Sequence, residues 1–198
     1  MTMKIKIGVM GSATEKLTKK QKQRAVALGR AIAEKDCYVV TGGCPGLPHL
    51  AAKGAKQVGG FVIGISPGLS LWEHVKKYDA PTKHHDLLIF TGSGLMGREV
   101  VNIRSSEIVV IIGGRSGTLG EFAIAYDEGK LIGVLKDTGG IADQIETILD
   151  ICRIKQTGAK VILDVNPERL IARLLRIYRR EFKRHSSIFD DYESRQWK

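Results

Sequence analysis

Apolar residues arrive in short, near-continuous runs separated by polar, helix-compatible stretches. "KIKIGVM" (4–10), "CYVVTGG" (37–43), "FVIGIS" (61–66), "DLLIFTG" (86–92), "EIVVIIGG" (107–114), "LIGVLK" (131–136) and "AKVILDV" (159–165) predict seven strands. Between them the spacing predicts a long helix ending near Ala33 and a helix over "LPHLAAKGAKQVG". Further helices are expected near 95–105, 118–129 and 140–154, with a basic terminal helix over 169–185. The strands do not alternate apolar with polar positions, which is the pattern of parallel strands covered by helices on both faces. Regular strand–helix alternation with right-handed crossovers then predicts an α/β, Rossmann-like, doubly wound and mainly parallel sheet. In such sheets ligands bind beyond the carboxyl ends of the strands, so the turns that end strands are where chemistry is sought.

Composition adds three points. A length of 198 residues suits one domain, and no linker-like stretch divides it, so 1–185 is expected as a single ligand-binding domain and 186–198 as a peripheral tail. Cys37, Cys44 and Cys152 form no CxxC pair, which fits a reducing compartment better than a secreted scaffold. With no signal-like start and no apolar run of the ~20 residues a membrane span needs, a cytoplasmic chain is expected. The net charge of +10 concentrates in "KLTKKQKQR" (16–24) and "RLIARLLRIYRREFKRH" (169–185). Such charge opens nucleic acid, acidic lipid or anionic small molecules as partners. Both blocks read as amphipathic helices with solvated basic faces. Neither has the aromatic interleaving of a single-strand binder nor a helix-turn-helix pattern, so nucleic acid is disfavoured. The apolar face of 169–178 is an expected surface for a homo-oligomer, dimer or tetramer.

Three strand ends carry small residues together. "VMGSAT" supplies Gly11 and Ser12, and "TGGCPG" supplies Gly42, Gly43 and Gly46. "GGRSGT" supplies Gly114, Arg115, Ser116, Gly117 and Thr118. Glycine lets the backbone approach a ligand closely, and the helix that follows presents unpaired N–H groups to an anion. Three such turns on one sheet edge predict a phosphorylated small molecule there. None matches G-x-x-x-x-G-K-[ST] or G-x-G-x-x-G, so neither a P-loop nor a dinucleotide fingerprint is supported.

"GGRSGTLGE" (113–121) resembles the P-G-G-x-G-T-x-x-E signature of the LOG family, the cytokinin-activating phosphoribohydrolases long mislabelled lysine decarboxylases. "TGGCPGLPHLAAKGA" resembles that family's earlier glycine motif. It is closer still to relatives reading T-G-G-x-x-G-x-M-x-A-A, a branch that includes molybdenum-cofactor carrier proteins. The resemblance spans roughly residues 4–150. It implies hydrolysis of the N-glycosidic bond of a nucleoside 5′-monophosphate, with Arg98 and Glu121 as the catalytic pair and Arg104 as a second arginine. The alternative it implies is a non-catalytic carrier of a phosphorylated ligand such as a pterin-type cofactor. No cofactor of its own and no metal is expected.

The residues allow other roles. Cleaving a glycosidic bond builds positive charge at the anomeric carbon, which a carboxylate can stabilise while activating water. Glu121, expected in a first helical turn whose dipole favours its ionised form, suits that role or simple helix-end electrostatics. Arg98 fits a ligand clamp or a surface arginine, and Arg104 fits a pair with Glu107 or a neighbouring chain. Thr118 fits a helix cap or a phosphate donor. His49 is expected to be exposed, and His84 and His85 lack a third ligand at metal spacing. Cys44 reads as a small loop residue or a reactive thiol. The departures from the family pattern are Gly113 for its proline, Arg115 for a glycine, Gly120 where a second acid is common, and Pro48 and His49 after the second motif. Arg115 places a side chain where the family brings bare backbone to phosphate, which suits an additional anion contact or a narrowed pocket.

Overall fold

The computed structural model describes residues 3–13, 16–152 and 157–182. Its strands are β1 (Lys6–Gly11), β2 (Tyr38–Thr41), β3 (Val62–Ser66), β4 (Leu87–Phe90), β5 (Ile108–Ile112), β6 (Leu131–Leu135) and β7 (Lys160–Asp164). They form one sheet in the order β4-β3-β2-β1-β5-β6-β7, and every neighbouring pair is parallel. The chain builds outward from β1 to β4, then returns to the other side of β1 with β5. That reversal makes the β1/β5 junction the switch point of the sheet, where a crevice opens between connections that leave in opposite directions. Gly11 pairs in register with Ile112, so the two strands end level. The expected Rossmann-like sheet is what the structure shows.

The helices are α1 (Lys19–Ala33), α2 (Leu47–Lys56), α3 (Gly94–Arg104), α4 (Ser116–Asp127), α5 (Gly140–Cys152) and α6 (Pro167–Ile177). The last continues as a wider π-type turn, Tyr178–Phe182. β5 and β6 are buried along their whole length, as strands covered on both faces must be. Alternate residues of β5 serve two cores. Ile108, Val110 and Ile112 join Leu28, Ala51 and Leu174 from α1, α2 and α6. Val109 and Ile111 join Ile103, Phe122 and Ile145 from α3, α4 and α5.

At α1 the Thr18 hydroxyl accepts from Gln21 N while the Gln21 side chain accepts from Thr18 N, a reciprocal capping box. α1 then meets α2 backbone to backbone. A Cβ on Gly29 would lie 1.8 Å from the Ala51 carbonyl oxygen, and one on Gly54 would lie 2.0 Å from that of Val26. Neither carbonyl is on a flexible side chain that could turn away. Gly29→Ala is therefore expected to destabilise the fold by about 3 kcal/mol, the upper part of the overpacking range. Urea unfolding should show a lower midpoint with an unchanged slope.

The terminal helix corrects one expectation. Its apolar face, Leu170, Ile171, Leu174 and Leu175, lies in the core and not on a free surface. On the other face Arg169 and Arg173 bind the Asp164 carboxylate at 2.6 and 3.0 Å. Those hydrogen bonds, led by Arg169, hold Asp164 well below the usual carboxylate range. Exposed apolar side chains gather instead near the edge strand β4, with Leu69, Leu71, Trp72 and Met96 joining Ile89 and Phe90. The tail expected at 186–198 and the end of the basic helix lie outside the described residues. Among the described residues no helix is long and apolar enough to cross a membrane.

Candidate functional site

A cavity of about 400 Å³ opens at the carboxyl ends of β1 and β5. Its walls are built by turns that hold one another. Ser12 N donates to Ile112 O at 3.3 Å, and Ser12 O accepts from Leu47 N at 2.8 Å, so the turns after β1, β2 and β5 are tied together. Gly113 and Gly114, with φ of +60° and +99°, turn the chain sharply after β5. Gly113 N donates to Thr138 Oγ1 at 2.9 Å. The Gly113 and Gly114 carbonyls accept from Ala142 N and Ile141 N, both at 3.0 Å, so the first turn of α5 grips this loop from behind. α4 starts at Ser116, and no side chain caps it. Its first-turn N–H groups therefore remain available to an anion at the cavity edge.

Eight of the expected catalytic and ligand-binding residues line this one cavity: Gly11, Ser12, Gly42, Arg98, Arg115, Gly117, Thr118 and Glu121. Gly114 instead lines an adjoining recess of about 180 Å³ shared with Ser12 and Arg115. Ser116 is the exposed first residue of α4. Gly43 and Gly46 face elsewhere. Gly43 (φ +67°) lies against the His74 ring, and a Cβ on Gly46 (φ +87°) would meet the Ser12 carbonyl at 2.1 Å. These two glycines allow a sharp turn and close packing, which a glycine motif cannot distinguish from ligand contact. Thr118 does not cap α4, because the helix starts two residues earlier; its side chain packs on Gly114.

Three ionisable side chains lie at the inner end. Arg98, on α3, is only 6% exposed. Its guanidinium crosses Gly42, where a Cβ would sit 1.5 Å from Nη1. Nη2 donates to Cys44 Sγ at 3.6 Å, while Nε has no hydrogen-bond partner. Glu121, on α4, is 7% exposed, and burial pushes its carboxyl up to about 7 against the opposing pull of Arg98. The expected dipole stabilisation fails for a structural reason. With α4 starting at Ser116, Glu121 falls in the second turn, where the dipole has faded and desolvation dominates.

The third group is Glu99, which the sequence reading missed. It is 6% exposed, lines the cavity, and its Oε2 has no partner. Burial raises its pKa and Arg98 opposes the rise. Its carboxylate lies across the side-chain-free notch of α4: Cβ atoms on Gly117 and Gly120 would come within 3.3 and 3.4 Å of it. The available signal was Gly117 and Gly120 at i, i+3, a spacing that opens a helix face to a neighbour.

Other candidates separate from the site. Arg104 is exposed and pairs with Glu128 at 2.7 Å, while Glu107 binds Lys6 at 2.6 Å. His49 is half-buried, its ring 5.3 and 5.9 Å from those of His84 and His85. Burial lowers the pKa of all three, that of His85 to about 4, so they are neutral imidazoles. Among the described residues no group of three or more His, Cys, Asp or Glu is placed to hold a metal ion. Cys44 lines the cavity beside Arg98.

Fold and site together define an α/β protein with a glycine-lined cavity at its switch point that a buried arginine and two buried acids also line. The chain belongs to the SLOG cluster4 family, whose model matches residues 4–171. The LOG-like resemblance of its glycine motifs is thus shown. It is 35% identical to an uncharacterized protein of Archaeoglobus fulgidus over 132 residues, 67% of this chain and 80% of that one. Over 112 residues, 54% of each chain, it is 30% identical to cytokinin riboside 5′-monophosphate phosphoribohydrolase of Mycobacterium tuberculosis. Its structure is similar to that of the molybdenum cofactor binding protein from Rippkaea orientalis, with a TM-score of 0.73 and 30% identity. That match covers 89% of this chain and 99% of the other.

Proposed function

We propose that the protein hydrolyses the N-glycosidic bond of a nucleoside 5′-monophosphate, releasing free base and ribose 5-phosphate. One observation carries this reading: Glu121, with a pKa of about 7, is buried in the same cavity as Arg98 and the uncapped start of α4. The N–H groups of α4 receive the 5′-phosphate, and Arg98 balances its charge. Glu121 then donates a proton to the departing base, a role its raised pKa supports, since an acid with a pKa near the working pH transfers protons most effectively. Incubation with AMP and the other common monophosphates should release base and ribose 5-phosphate, separable by liquid chromatography. No turnover of any of them would sink the reading.

A second reading, a carrier of a phosphorylated ligand such as a molybdenum cofactor, draws support from the Rippkaea orientalis neighbour and from Arg115. This exposed side chain stands at the cavity mouth, at the N-cap of α4. In this reading it makes a charge-assisted bond to an anionic ligand. Arg115→Ala is expected to weaken binding of such a ligand roughly tenfold to a hundredfold, the ligand being recovered chemically unchanged. Calorimetric titration of both proteins with AMP and with a pterin phosphate measures this. Equal affinities would remove Arg115 from ligand binding.

A further inference from the structure

We propose that Glu99 is the second working carboxylate of this site: it orients and deprotonates the attacking water while Glu121 protonates the departing base. The inference deepens the hydrolase reading and rests on it. Glu99 and Glu121 come from different helices and line one cavity. Glu99 reaches α4 over Gly117 and Gly120, the residues one turn before and immediately before Glu121. Its buried Oε2 bonds to no protein group. Oε2 is shut off from solvent and costs stability without contributing to the fold, so it is the cavity-facing part of the same carboxylate that meets a water in the adjoining cavity.

The charged groups facing Glu99 are Arg98 on its own helix and Glu121 on α4, with Arg115 on the wall of the same cavity. Asn102, one turn further along α3, is neutral and turns its amide nitrogen to Met10 Sδ at 3.1 Å. Two acids that flank one arginine in a desolvated site can divide the work, one as acid and the other as base. Glu121, raised by burial to about 7, takes the part of the acid, and Glu99 that of the base.

The step then balances. The bond between the anomeric carbon and the base nitrogen breaks, its electron pair leaves with the base, and the Glu121 proton goes to the base. The water oxygen bonds to the anomeric carbon, and the water's proton goes to Glu99. One water is consumed, and exchange with solvent restores the pair.

The test compares wild type, Glu99→Gln and Glu99→Asp for base release from AMP across pH 4–9, with AMP affinity measured by calorimetry. Glu99→Gln is expected to lower kcat by about 10²–10⁴-fold, to lose the acid-side limb of the pH–rate profile, and to keep AMP affinity within about threefold. Glu99→Asp should restore part of the rate together with that limb. Removing a buried, unpartnered carboxylate leaves the fold intact, which a thermal melt verifies. If Glu99→Gln retains the wild-type rate and both limbs, Glu99 has no part in catalysis even though the hydrolase reading stands. If wild type releases no base from any monophosphate, both fall together, so the two failures are told apart by wild-type turnover.

Discussion

Glu121→Gln is expected to abolish base release and, at pH 8, to make the protein more stable by about 3 kcal/mol. The two effects share a cause. Burial raises the Glu121 pKa from 4.5 to about 7 in the folded state. A carboxyl whose folded pKa is raised binds more protons folded than unfolded between those values, so stability falls as pH rises from about 4.5 to about 7. Above pH 7 the penalty is complete, and a displacement of this size corresponds to ~3 kcal/mol. Glutamine is the same shape and never ionises, so it escapes that penalty while losing the transferable proton. Urea unfolding at pH 5 and pH 8 checks this: the two proteins should be similar at pH 5, and the variant should be ahead at pH 8. A variant less stable than wild type at pH 8 would mean that ligand-free Glu121 is not the strained group described above.

Gly42→Ala is expected to reduce kcat/KM about a hundredfold while leaving the fold intact. The obstacle to a methyl group here is the Arg98 guanidinium, 1.5 Å from where the new Cβ would lie. A side chain can retreat where a backbone carbonyl cannot, so the cost falls on Arg98's position and not on packing. Moving a catalytic group by about 1 Å commonly costs ~10²-fold in rate. Thermal melts and AMP turnover, measured together, separate the two. Full turnover in a folded variant would show that the placement of Arg98 does not matter. Gly29→Ala is the contrast, because there the new methyl meets backbone and stability is lost.

The same comparison explains what could be read from the sequence. The sheet was legible because buried parallel strands need unbroken apolar runs, and "IVVII" and "LIGVL" have no other good use. Arg98 and Glu121 were legible only through the family resemblance: Glu121 closes the glycine signature that follows β5, and Arg98 lies ahead of that strand on α3. Glu99 was not, because an acid beside an arginine on a helix looks like a solvated pair. Its burial depends on α4 lacking side chains at Gly117 and Gly120, a tertiary fact. Gly42 and Gly43 are neighbours in one motif, yet one faces the Arg98 guanidinium and the other the His74 ring. Local sequence specifies that a glycine is needed there, not what stands opposite. For the terminal helix the amphipathic stripe was correctly seen and its partner was not, since a period of 3.6 says which face is apolar but not what covers it.

The grip of α5 on the Gly113–Gly114 carbonyls bears on how the pocket chooses its occupant. A loop whose carbonyls are already held by Ile141 and Ala142 has less ordering left to do should an anion bind, which shifts the entropic cost of association toward the ligand. Such a receptor acts as a mould and not as a closing hand. It discriminates by rejecting molecules that do not match its walls, and a ligand with one atom too many gains nothing from adaptation by the protein.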